Sequence, residues 1–129
     1  MLLDCADALD AVDIDRWDQF SPQQRRGIGI IARWVIEKSL WSVIFACGQE
    51  PPLNVSLMKL YALSGMKLPP EHERLLAYLA ERVATHIPDV VGIEDDYQTM
   101  FRLAHGVRGM AHNLVTIWDV QERQARKPE

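Results

Sequence analysis

The sequence predicts an all-α protein: a single-domain helical bundle of about five helices, with a long central helix and a long C-terminal helix. Three observations carry this. Apolar residues recur at spacings of three and four along most of the chain, the repeat that lines one face of a helix. Glycine and proline gather at 48–52, 65–70 and 87–92, leaving long uninterrupted segments between them. No stretch alternates apolar and polar residues as a half-buried strand would, and no internal repeat is visible.

The first expected element is an amphipathic helix over 2–12. Asp4, Asp7, Asp10 and Asp13 recur every third residue, and Asp15 and Asp18 extend this acidic character through the segment 1–20. Leu3, Ala6, Leu9 and Val12 share another side. The pattern Asp13-x-Asp15 is that of a calcium-loop start, but the required glycine and the distant glutamate are absent, which excludes it.

The second element opens at SPQQ. Ser21 is a good N-cap, Pro22 suits the first helical position, and Gln24 completes a capping box. Gly48 supplies a C-terminal stop. The residues between are apolar on most sides, including Ile28, Ile31, Trp34, Val35, Ile36, Leu40, Trp41, Val43, Ile44 and Phe45. That predicts a central helix surrounded by others. Gly27 and Gly29 each cost about 1 kcal/mol of helix propensity, so they either fray the first turns or admit a close neighbour.

A third helix is expected over 53–64, stopped by Gly65. A fourth begins at Pro69-Pro70 and runs to about residue 86, with Leu75, Leu76, Leu79 and Val83 facing inward. The last spans 94–125. Glu94, Asp95 and Asp96 suit the positive end of its dipole, and Arg123 and Arg126 the negative end. Fraying is expected over 121–129. Met100, Ala104, Val107, Ala111, Leu114 and Trp118 step by four and three, a heptad-like seam.

Composition limits what such a bundle does. The 129 residues are 48% hydrophobic and 25% charged, enough for a core without metal or disulfide staples. The net charge of −4 disfavours a general nucleic-acid binder, which needs a basic face. Cys5 and Cys47 belong to no CxxC pair and are read as reduced thiols. The N-terminus lacks a basic, apolar leader and no apolar run reaches about 18 residues, so a cytoplasmic protein without membrane contact is expected.

The segment RLAHGVRGMAHN, 102–113, carries the most chemistry. Phe101, His105, Arg108, His112, Val115 and Asp119 form a second stripe about 100° from the seam. His105 and His112 stand seven residues apart, about 10.5 Å along the axis, too far to share one metal ion. HERLL, beginning at His72, lacks the second histidine of a zinc motif. An arginine that holds a phosphate and a histidine that moves a proton are suitable parts for phosphoryl transfer. VRGMAHN resembles the helical ribonuclease family called HEPN, which places arginine, then four to six residues, then histidine. Here three residues separate Arg108 from His112. The other reading is structural: the histidines hydrogen-bond beside the bundle, Arg108 pairs with a carboxylate from the acidic N-terminus, and Ala104, Gly106, Gly109 and Ala111 admit a neighbouring helix.

The segment 57–79 resembles a helix-turn-helix, but Glu71 and Glu73 stand where phosphates would lie and Tyr61 is bulky where a small residue is usual. No phosphate loop, dinucleotide fingerprint or nucleophile elbow is present.

These observations lead to a small protein that acts by binding another protein as adaptor, regulator or inhibitor, a type frequent in phages and mobile elements. No metal or cofactor is expected. Trp17 and Phe20 are the expected exposed anchors, with Asp10, Asp13, Asp15 and Asp18 around them. A homodimer through the C-terminal seam is expected as well. The alternatives are an enzyme using Arg108 and His112 with His105 in support, and a DNA-binding regulator.

Overall fold

The computed structural model describes residues 7–82 and 94–126, and all its elements are helical. Residues 7–10 form one helical turn, closed where Ala11 N donates to Asp7 O over 3.0 Å. The rest of the helix expected over 2–12 lies outside the described residues. A 3-10 helix follows at Ile14–Gln19, within the acidic segment. The Asp13 side chain starts it by accepting from Asp15 N.

Helix α1, Pro22–Ala46, begins with the expected capping box: Gln24 N donates to Ser21 Oγ and Ser21 N donates to Gln24 Oε1. It ends where Gly48 takes φ +82, a left-handed conformation that costs glycine little. Its buried face comprises Ile28, Gly29, Ala32, Val35, Ile36, Ser39, Leu40, Val43 and Ile44. The expectation that α1 is enclosed on all sides is corrected, because Trp34 and Phe45 are exposed at 44% and 74%.

Helix α2, Leu57–Ser64, starts later than expected. Ser56 accepts from Lys59 N and caps it, while Asn54 sits at φ 58 and Leu53 is exposed. Gly65 closes it in the left-handed conformation, as expected. Helix α3, Pro70–Arg82, is tied to α1 where Arg33 donates to Ala80 O over 2.7 Å. The continuation expected towards residue 86 lies outside the described residues.

Helix α4, Glu94–Arg126, has 33 residues and therefore spans about 50 Å, against about 38 Å for the 25 residues of α1. It stays helical well into the 121–129 segment for which fraying was expected. α1 and α4 form the principal packed pair. Gly29 near the start of α1 meets Tyr97 near the start of α4. At the other end Cys47 shares a cleft with Leu114 and Trp118. The two long helices are therefore parallel, and α2 and α3 lie in the connection that returns the chain to the starting end.

The predicted seam is filled within the chain. Met100, Ala104, Val107 and Ala111 are buried in the same cluster as the inner face of α1, with Leu114 and Trp118 partly buried against it. Met100, Ala104, Val107 and Ala111 are thus used in packing within the chain. Beyond α1's end α4 projects, and Ile117 is 51% exposed.

Candidate functional site

The stripe on α4 forms a clamp for the N-terminal segment. Leu9 is fully buried, which brings Asp10 beside α4. Arg108 Nη1 donates to Asp10 Oδ1 over 2.8 Å, and His105 Nδ1 stands 3.9 Å from the same oxygen. The Arg108 hydrogen bond holds the Asp10 carboxyl below its ordinary pKa, and the same bond raises that of Arg108. His105 also packs edge-to-face on Phe101, with ring centroids 4.8 Å apart. His112 is exposed about two turns beyond His105.

Arg108, the residue a phosphate would need, is thus occupied by a carboxylate of its own chain. None of His105, Arg108 and His112 lines either of the two clefts described below. No group of three metal-ligating side chains occurs among those residues. The glycines of this helix do not serve a tight seam either: a Cβ on Gly106 or Gly109 meets nothing within 4 Å.

Trp17 was expected to be exposed, and here the structure corrects the sequence. The 3-10 helix turns it inward to 6% exposure, edge-to-face with the partly buried Phe20 at 6.3 Å. Arg25 seals it, donating to Trp17 O over 3.1 Å with its guanidinium 5.8 Å from the ring. A polar side chain with an aliphatic stem both caps the carbonyl and covers the indole. Asp13, Asp15 and Asp18 remain exposed.

The aromatic surface lies instead on α1. Trp34, Lys38, Trp41 and Phe45 step by four, three and four, which gathers them within about 60° of the helix circumference. Lys38 Nζ sits 3.8 Å from the centroid of the Trp41 ring, a close cation–π contact. Trp41 Nε1 is buried without a partner among the described residues. The repeat was visible in the sequence. It does not by itself mark the outer side, because α1 is apolar on so many sides that no polar face distinguishes one.

The segment 57–79 owes its shape to Tyr61. Its hydroxyl accepts from Leu68 N over 2.9 Å and donates to Glu73 Oε2 over 2.8 Å, so the buried ring pins the start of α3 to α2. Burial, first among the causes, raises the Tyr61 pKa. Glu71, Glu73 and Glu81 are exposed on α3, an acidic surface.

Two clefts open beside α4. One, of about 510 Å³, is lined by Cys47, Met66, Lys67, Met110 and Trp118 among others. The second, of about 380 Å³, lies between the start of α3 and the middle of α4. No helix among the described residues is long and apolar enough to cross a membrane. No family model matches the chain, and no curated protein or solved structure matches it.

Proposed function

We propose that the protein acts by binding another protein, and that the contact face is the outer stripe of α1. One observation carries this reading: Trp34 and Phe45 stand 44% and 74% exposed on the same face, with Trp41 and Lys38 between them. Large aromatic side chains gain most when a partner removes them from water, and they are the usual anchors of an interface. The aromatic spacing matches a partner helix or groove laid along α1. Lys38, stacked on Trp41, adds a cation at the centre of an otherwise apolar strip. Cys47 is a free, exposed thiol, which suits a reducing, cytoplasmic setting.

The test is a photo-crosslinking amino acid placed at position 45, with a second at exposed Gln23 as control, in the cell that makes the protein. A discrete adduct is expected from position 45 only, and Trp34→Ala should remove it. If position 45 captures nothing beyond what position 23 captures, while the protein stays folded, the proposal fails.

A further inference from the structure

The smaller cleft shares no residue with the α1 stripe and has a different chemistry. Its apolar lining includes Leu75 of α3 and Leu103 and Val107 of α4, and its rim carries His72 and Arg102. No acidic residue lines it, although acidic residues outnumber basic ones 18 to 14 in the chain. Arg102 and His72 are exposed and make no hydrogen bond or ion pair among the described residues. An uncompensated cation over an apolar cleft is complementary to an anion carried on an apolar body.

Gly106 gives the second, independent observation. It lines the cleft one turn after Arg102, and a Cβ built on it meets nothing within 4 Å. Its φ is not positive, so the backbone does not require glycine there. Among residues other than proline, glycine is the least favourable in a helix interior. Packing gives no reason for it, and what it does leave is open space in the cleft. Residues that weaken a fold without a structural return are common where a site must stay open.

We propose that this cleft binds a small amphipathic carboxylate, the head group at Arg102 and the apolar body along Leu75, Leu103 and Val107. The volume of about 380 Å³ falls within the ordinary range for small-molecule sites.

Decanoate is the probe, with decanol as the same chain without charge and acetate as the charge without chain. Binding is followed by amide shifts in nuclear magnetic resonance and by calorimetry on the full chain. Decanoate should saturate shifts at Thr99, Leu103 and Gly106, and decanol should bind at least about tenfold more weakly. Gly106→Leu fills the cleft and should weaken decanoate by more than about tenfold, with an unfolding midpoint no lower than that of the parent protein. Arg102→Gln, at an exposed position, should erase the preference for decanoate over decanol. The proposal is overturned if decanoate gives no saturable shifts, if decanol binds equally well, or if both variants bind like the parent protein.

Discussion

Gly29 of α1 and Tyr97 of α4 meet without room for a methyl group between them. A Cβ on Gly29 would stand 2.9 Å from Tyr97 Cγ and closer still to Cδ1. This is a close approach of the two parallel helices at their starting ends, and it turns the helix cost of one glycine into packing. Gly29→Ala gains helix propensity of about 1 kcal/mol but forces the Tyr97 ring aside, and overpacking of that kind costs about 1–3 kcal/mol. Net destabilisation in urea is the expected result. Gly27→Ala, two residues earlier in open space, should stabilise by up to about 1 kcal/mol. Opposite signs for the two substitutions check the contact. Gly109 is likewise in open space, and nothing in the structure explains it.

Trp17 and Trp34 should separate core from surface. Trp17 is 6% exposed, so Trp17→Ala should cost about 3–5 kcal/mol in chemical denaturation. Trp34→Ala, at a side chain 44% exposed, should cost clearly less than Trp17→Ala. Comparable losses from both would contradict the inward turn of the 3-10 helix.

The pairing of Asp10 with Arg108 sets an acid dependence. The folded state holds the Asp10 pKa below its unfolded value, chiefly through the Arg108 hydrogen bond. The resulting stability is present above about pH 4 and lost as pH falls through the depressed value. Asp10→Asn should therefore lower stability near neutrality and flatten the acid limb of the stability–pH curve. The effect is small and salt-sensitive, because both side chains are substantially exposed. An unchanged acid limb in the variant would refute it.

Tyr61 makes the corresponding prediction at alkaline pH. Its folded pKa is raised, first by burial, so the stability it gives is complete below its unfolded value of about 10 and lost as pH climbs through the higher folded value. Tyr61→Phe removes this alkaline dependence. It also leaves the Leu68 amide and Glu73 without the hydroxyl that joins them, at a cost of about 1–3 kcal/mol. Equal stability of the variant at neutral pH would show that the α2–α3 turn does not depend on that hydroxyl.

Patterns that lie within a few residues of one another were readable from the chain. The Ser21–Gln24 capping box, the Gly48 and Gly65 stops, the start of α4 and the heptad seam all depend on spacing along one helix. Local hydrogen bonding and the helical repeat are encoded there. Even the Arg108 partner was legible as a class, since acidic residues cluster in the N-terminal segment that has to lie somewhere on the bundle.

Which side of α1 faces water, which way Trp17 turns and which glycine touches a neighbour depended on tertiary structure. α1 has apolar residues around most of its circumference, so its own sequence leaves the choice of buried face degenerate. Packing against α4 and the shorter helices breaks that degeneracy, burying Val35, Ile36 and Val43 and leaving Trp34 and Phe45 outside. Likewise Gly29, Gly106 and Gly109 carry the same local propensity. Only the distance to a side chain dozens of positions away separates a contact point from an open cleft.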